Sequence, residues 1–190
     1  MADLLDVKTL HRKGVEEFGK RVARIGDDDW SKSTPCTEWD VRTLVNHLVY
    51  EHRWAVPLLE GASIADVGDR YEGDLLGDDP IAAWQDSLAD AQSAVAGVPL
   101  DRTVHLSFGD VPAGAYLAQL GSDFVVHAWD LARGLGVDDR LDPAVVADVH
   151  ARAIDELDAL RASGMFGEQL DVSDDADEQT RLLALVGRRG

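Results

Sequence analysis

The sequence predicts a mainly α-helical protein, a bundle of four principal helices with short additional helices and one small β-hairpin. Three observations indicate this fold class. Long segments repeat apolar residues with a period close to 3.6, as a helix with one buried face does. Clusters of glycine, proline and acidic residues separate these segments. One short stretch alternates between apolar and polar residues as a strand does.

The first two principal helices are predicted in the N-terminal third. Residues 4–25 carry apolar side chains at helical spacing and end at the acidic turn "GDDDW". The second helix is predicted over about residues 38–60. Pro35 disfavours helix before it, Thr37 is a suitable N-cap, and Gly61 favours an end.

The next elements follow a loop rich in glycine and aspartate, "GDRYEGDLLGDD". A third helix is predicted to begin at Pro80, because proline suits the first helical turn. The stretch "RTVHLSFGDVP" predicts a hairpin around Gly109 and Asp110. Pro112 then opens a fourth helix, and the glycines of "RGLG" terminate it.

The C-terminal part predicts a fifth helix over about residues 143–163 and a short last helix near 178–187. We therefore expect two regions. Residues 1–163 form the helical bundle that carries the functional site. Residues 164–190 form a short extension that packs on or beside it.

Composition excludes several kinds of partner. The chain has 36 acidic and 18 basic residues and a net charge of −18, which repels a phosphate backbone, so we expect no nucleic acid partner. The N-terminus shows no apolar run of signal-peptide length, and no run is long enough to span a membrane. The single cysteine, Cys36, suits a reducing compartment. We expect a soluble cytoplasmic protein, and a homodimer is compatible with this composition.

Candidate ligands for a cation lie in "SDFVVHAWDLARGLG" on the fourth predicted helix. Asp123 and His127 are four residues apart, so both side chains lie on one face, one turn apart. Asp130 follows on the same stripe, as a hydrogen-bonding partner or a more distant ligand. A carboxylate and an imidazole at this spacing can provide two ligands, and a third must come from another helix.

The second predicted helix offers that third ligand in "LVNHLVYEHRW". His47 is flanked by apolar residues typical of a core position. Glu51, four residues later, shares its face. His52 is five residues later and is predicted to be solvated, because its side chain points about 140° away from that of His47.

The other histidines and the cysteine are interpreted as structural or exposed. Cys36 precedes His47 by eleven residues, roughly 16 Å along a helix axis, and is predicted to be a small buried apolar residue out of reach of the same ion. No ligand at a suitable spacing accompanies the remaining histidines, which are His11, His105 and His150. Spacing alone favours a bundle without metal, in which Asp123 and His127 simply hydrogen-bond each other.

Several motifs together resemble a known family. The segments "TPCTEWDVRTLVNHLVYEHRW", "LLGDDP", "LSFGDVPAGAYLAQL" and "VVHAWDLARGLG" are similar to the DinB-like metal-binding superfamily. Within it, they resemble the group related to the N-terminal domain of mycothiol-dependent maleylpyruvate isomerase, over about residues 10–187. The resemblance implies a DinB-like four-helix bundle that holds a divalent metal by two histidines and a carboxylate. It maps these ligands onto His47, Asp123 and His127.

The sequence departs from that family in two respects. The relatives usually carry glutamate where this chain has Asp123, whose side chain is one methylene shorter. They also carry a longer second domain, whereas only about 27 residues follow the fifth predicted helix here. Activity on maleylpyruvate itself is therefore not expected of this chain.

The resemblance implies a metal-dependent thiol transferase or isomerase of the mycothiol type. Three protein ligands leave one position open, and a thiol bound there would ionise near neutral pH. We expect zinc, although nickel, iron or manganese suits the same ligands. Mycothiol is the expected thiol cosubstrate, with an electrophilic substrate that the sequence does not identify. The alternative is a non-catalytic metal-binding bundle in which the ion stabilises the fold or senses metal supply.

Overall fold

A computed structural model describes residues 4–155 and 168–190 and confirms the mainly helical fold class. No helix in these two ranges is long and apolar enough to cross a membrane. The helices, in chain order, are α1 (Val7–Val22), α2 (Val41–Glu60), α3 (Ile64–Val67), α4 (Pro80–Gly97), α5 (Ala113–Leu135), α6 (Pro143–Asp155) and α7 (Glu178–Leu185).

The start of α2 differs from the prediction, which placed it at residue 38. Glu38 has a φ of +68°, which interrupts a right-handed helix. The N-cap is Asp40, not Thr37, and its carboxylate accepts a hydrogen bond from the backbone N–H of Thr43 at 2.7 Å. The predicted end is correct, because Gly61 follows Glu60 with a left-handed φ of +106°.

The predicted hairpin is present and sits beside the N-terminus of α5. Strand β1 (Thr103–Leu106) pairs antiparallel with β2 (Gly109–Pro112). Its turn is Ser107–Phe108, slightly before the predicted position, and Gly109 begins the second strand with a φ of +135°. The third predicted helix corresponds to α4, which begins at Pro80 as expected. The fourth corresponds to α5.

The C-terminal segment returns to the bundle. Helix α7 packs against α6, and its Leu182 and Leu183 are buried in the main apolar core. Helix α6 confirms the start of the fifth predicted helix. Its predicted continuation to residue 163, and the boundary between residues 163 and 164, lie outside the described residues and stay predictions.

Two glycines allow α1 and α5, which pack extensively against each other, to approach closely. A Cβ atom at Gly14 of α1 would lie 2.6 Å from the carbonyl oxygen of Gly121 on α5. A Cβ atom at Gly121 would lie 3.0 Å from the backbone nitrogen of His11. Neither backbone can retreat without repacking the core, so this contact fixes the position of α5.

His52 is fully buried, so the prediction that it is solvated was wrong. Helix α2 packs against both α4 and α5 and therefore buries more than one face. The His52 ring lies 5.1 Å from the ring of Trp84 and 4.6 Å from that of Phe124, and its Nδ1 lies 3.2 Å from Ser87 Oγ. Since Ser87 Oγ donates to a backbone carbonyl, His52 Nδ1–H is the donor between them, and Nε2 carries no proton.

Burial lowers the pKa values of two core histidines. The pKa of His52 falls to about 3, through burial and then the charge of His11, and burial lowers that of His11 to about 4. Their rings lie 6.3 Å apart, centroid to centroid, so protonating one would oppose protonation of the other. Both are therefore neutral parts of the core at neutral pH.

We predict that Gly14→Ala destabilises the protein by roughly 1–3 kcal/mol, because the added methyl group collides with backbone. Helix propensity alone would favour the alanine by about 1 kcal/mol. The matched control is Gly19→Ala in the same helix, where the nearest atom to the new Cβ would be 3.8 Å away and the propensity gain should appear. Urea denaturation measures the free energy of unfolding of both variants. A Gly14→Ala variant as stable as the control would contradict the close contact.

We also predict that wild type loses stability on acidification relative to His52→Leu. The pKa of this histidine is lower in the folded protein than in the unfolded chain, where it is about 6.5. Its contribution to stability is therefore complete above pH 6.5 and is lost as the pH falls towards the folded pKa. Between pH 7.5 and 5, the free energy of unfolding of wild type should fall by about 2 kcal/mol relative to that of His52→Leu. Urea denaturation of chelator-treated protein gives each free energy, and comparing the two proteins cancels the other titrating groups. Parallel pH profiles would contradict the assignment.

Candidate metal centre

Helices α2 and α5 bring together the three residues that the resemblance mapped as ligands. His47 Nε2 on α2 lies 3.4 Å from one oxygen of Asp123, and His127 Nε2 lies 3.4 Å from the other. The two imidazole rings are nearly perpendicular, with centroids 5.2 Å apart. The side chains of His47 and Asp123 are each 25% exposed, so the group is accessible from solvent.

The spacing of these donors fits a small divalent cation. One donor atom from each of His47, Asp123 and His127 lies within 4.8 Å of the other two. Ligands about 2.0–2.1 Å from a tetrahedral zinc ion are about 3.3 Å from one another. Each imidazole nitrogen lies 3.4 Å from a different oxygen of Asp123, so the carboxylate would either bind through both oxygens or turn to present one oxygen near both nitrogens. These residues could therefore hold a metal after a rotation of the Asp123 carboxylate.

Asp123 and His127 stabilise opposite charges on each other. Burial would raise the pKa of Asp123, but the charge of His127 and the polar contacts with both histidines outweigh it and lower the pKa. Burial would lower the pKa of His127, but Asp123 and then Asp130 raise it well above 6.5. A metal at Nε2 must therefore displace a proton from His127.

The other ring nitrogen of His127 contacts Asp130, which was predicted as a hydrogen-bonding partner or a more distant ligand. His127 Nδ1 lies 2.9 Å from Asp130 Oδ2, and Asp130 is fully buried. Burial would raise the pKa of Asp130, but the hydrogen bond from His127 and the charge of Arg188 lower it. Asp130 is thus an ionised acceptor that keeps the Nδ1 proton of His127 in place.

Cys36 lies beside this histidine, so its interpretation as a buried apolar residue was wrong. Its Sγ is 3.2 Å from Asp130 Oδ2 and 3.7 Å from His127 Nδ1. The expected distance from His47 assumed a continuous helix, but α2 begins only at Val41. Cys36 therefore belongs to the surroundings of the candidate site, on the side of His127 that faces away from Asp123.

The loop that carries Cys36 reverses against α5. Ser33 and Asp40 form an isolated β-bridge, and the N–H of Thr34 donates to the carbonyl of Trp39 at 3.1 Å. A Cβ atom at Gly134 of α5 would lie 3.2 Å from the carbonyl oxygen of Ser33. This glycine, which the sequence suggested only as a helix stop, therefore lets the loop pack directly on the helix.

Cys36, His127 and Asp130 form a second group whose spacing could hold a metal. A guanidinium already occupies this side, because Arg188 Nη2 lies 3.0 Å from Asp130 Oδ2 and 3.6 Å from Cys36 Sγ. A metal ion at this position would be repelled by the positive charge of Arg188. The geometry therefore favours the Nε2 side of His127 as the candidate metal centre.

Two further side chains border the candidate centre. The ring of Trp39 lies 4.9 Å from that of His47 and 6.0 Å from that of His127, so an indole covers one side of both imidazoles. Burial, followed by the charge of Asp123, raises the pKa of Glu51 to about 7. Glu51 was predicted to share a face with His47, and it is the carboxyl in this region that exchanges a proton near neutral pH.

Comparisons with known proteins identify relatives by sequence and by fold. Residues 11–132 match the family described as the mycothiol maleylpyruvate isomerase N-terminal domain. Uncharacterised proteins from two strains of Mycobacterium tuberculosis are each 28% identical, over 78% of this chain and 78% of their own. Two crystal structures also match, one of a mycothiol-dependent maleylpyruvate isomerase and one of its histidine-to-alanine mutant. Each superposes with a TM-score of 0.64 at 17% sequence identity, and each match covers 89% of this chain and 75% of the other chain. At that identity the structures show a shared fold.

We predict that His127 of chelator-treated protein stays protonated well above pH 6.5 and that Asp123→Asn lowers its pKa, because the variant removes the charge that stabilises the imidazolium. Histidine NMR titration measures the change, with His127→Gln to assign the signal. The control is Asp110→Asn, which removes the carboxylate that contacts His105 on the hairpin and should leave His127 unchanged. Titration of His127 at or below pH 6.5 in wild type would be inconsistent with this site.

Proposed function

The chain belongs to the family of the mycothiol maleylpyruvate isomerase N-terminal domain, and from this membership we propose that it is a metal-dependent transferase or isomerase that activates a small thiol. The family implies a thiol partner and a small-molecule substrate. Mycothiol is the proposed thiol. The second substrate is an electrophile that accepts the thiol, and maleylpyruvate itself is not proposed.

We propose His47, Asp123 and His127 as the three metal ligands. One observation carries this proposal: two imidazole nitrogens converge on one carboxylate, each 3.4 Å from one of its oxygens, so that one ion could reach all three side chains. Zinc is the proposed metal, although iron, nickel and manganese suit the same ligands. Bound there with one position open, the ion would lower the pKa of a coordinating thiol and make it a nucleophile near neutral pH.

The residues of this chain prepare the site for that chemistry. Asp130 accepts a hydrogen bond from Nδ1–H of His127, which leaves Nε2 to face Asp123. Trp39 covers one side of both imidazoles and limits access of water there. The quarter-exposed side chains of His47 and Asp123 leave a route by which a thiol can enter.

We predict that His47→Ala and His127→Ala each reduce metal content to background while the helical circular dichroism remains. Each variant removes one of only three protein ligands. Elemental analysis of protein purified without chelator or histidine tag measures the metal. The control is His105→Ala, which breaks another histidine–carboxylate pair, 2.8 Å apart on the hairpin, and should leave the metal content unchanged. Normal metal content in both ligand variants would contradict the assignment.

Thiol binding separates an enzyme from a passive metal-binding bundle. We predict that mycothiol, or N-acetylcysteine as a simple thiol, adds a sulfur-to-metal charge-transfer band to the Co(II)-substituted protein. The band should grow with pH with a midpoint below the free thiol value of about 8.5, because the metal stabilises the thiolate. Absorption spectra against pH measure it.

Two controls make this test specific. A Cys36→Ser background leaves the added compound as the only thiol, and N-acetylserine tests whether the sulfur is required. A spectrum that stays unchanged with thiol at every pH at which the fold survives would replace the transferase proposal with that of a non-catalytic metal-binding bundle.

A further inference from the structure

A side chain from the C-terminal segment reaches the buried surroundings of the candidate metal centre. Arg188 follows α7 and donates to both oxygens of Asp130, from Nη2 at 3.0 Å and from Nε at 3.3 Å. Its Nη1 donates to the carbonyl of Val186 at 2.9 Å, which holds the guanidinium against its own backbone. A planar guanidinium with two contacts fixes the direction of a carboxylate as well as its charge.

Asp130 depends on this guanidinium because it has no exposure to solvent. The side chain of Arg188 is itself only 14% exposed, so the ion pair lies largely within the protein. A buried carboxylate without a countercharge is strongly destabilised. The pair joins positions 58 residues apart, and the burial of Leu182 and Leu183 in the main core holds α7 near α5.

The orientation of Asp130 in turn determines that of His127. Asp130 Oδ2, the oxygen 3.0 Å from Arg188 Nη2, is also the oxygen that lies 2.9 Å from His127 Nδ1. A proton held at Nδ1 leaves Nε2 as the nitrogen for coordination, directed at Asp123. Rotation of the Asp130 carboxylate would release this constraint on the ring.

We propose that Arg188 is a positioning residue of the metal centre, acting through Asp130 to hold the His127 imidazole in its ligating orientation. The C-terminal segment is thereby a functional part of the site, although it contributes none of the three proposed ligands. This inference rests on the proposed function, because it requires that the site binds metal.

The test measures the dissociation constant of Zn²⁺ by competition with a chromophoric chelator. Arg188→Ala should weaken zinc binding about 10- to 100-fold, the usual effect of removing a partner of a ligating histidine. Arg188→Lys should recover part of the loss, because an ammonium restores the charge without the two-point contact. The matched control is Arg181→Ala, which removes a guanidinium of α7 that donates to the carbonyl of Ala176 and should change the dissociation constant by less than about twofold.

A double-mutant cycle shows whether Arg188 acts through Asp130. In an Asp130→Asn background, Arg188→Ala should cost much less zinc affinity than in wild type, because the carboxylate that it orients is gone. Additive losses would overturn the proposal. Urea denaturation follows the folding of each variant, and if Arg188→Ala does not fold, Arg188→Lys replaces it in the cycle.

The outcomes also separate this inference from the proposed function. Wild-type protein that binds no zinc would contradict both. Tight zinc binding by wild type, together with Arg188→Ala indistinguishable from Arg181→Ala, would overturn the role of Arg188 alone.

Discussion

A buried imidazole held between two carboxylates is the interaction around which this site is organised. His127 directs Nε2 at Asp123 and Nδ1 at Asp130, and burial makes both negative charges costly unless cations compensate them. On the Nδ1 side, Arg188 provides that compensation. On the Nε2 side, Asp123 also faces His47, and the arrangement suits a metal ion. His127 thus lies between two different environments. Arg188 occupies its Nδ1 side, and its Nε2 side is able to accept a metal ion.

The fold positions these groups through close backbone contacts with α5. Gly14 and Gly121 let α1 lie directly against one face of this helix, and Gly134 admits the loop before α2 against another. A methyl group at Gly14 would strike the backbone of α5, and at Gly121 and Gly134 it would force the neighbouring atoms to shift. The position of Asp123 and His127 therefore depends on these helix contacts, so a mutation at residues that do not themselves face the site can alter the geometry of the proposed ligands.

Local patterns in the sequence account for much of the fold and for part of the site. Apolar periodicity and capping residues place the principal helices, and the four-residue spacing places Asp123 beside His127. The third residue, His47, was assigned by resemblance, and its Nε2 lies 3.4 Å from Asp123 in the structure. The function of these three residues as ligands remains a proposal.

The residues that sequence reasoning missed are those whose position depends on long-range packing. His52 was expected in solvent because spacing along one helix describes a single buried face, whereas α2 has neighbours on two sides. The distance expected between Cys36 and His47 assumed helical geometry back to Cys36, whereas α2 begins five residues after it. Arg188 carries no local signal, because its partner Asp130 is 58 residues away and the contact exists only once α7 has packed.

The most direct test of this account is X-ray absorption spectroscopy of the zinc-loaded protein without added thiol, since it identifies the ligand atoms themselves. Coordination by His47, Asp123 and His127 predicts a first shell of nitrogen and oxygen only, at about 2.0–2.1 Å, with outer-shell scattering from two imidazoles. Coordination by the group on the other side of His127 would instead bring in the sulfur of Cys36. A sulfur scatterer at about 2.3 Å, or scattering from a single imidazole, would contradict the assignment.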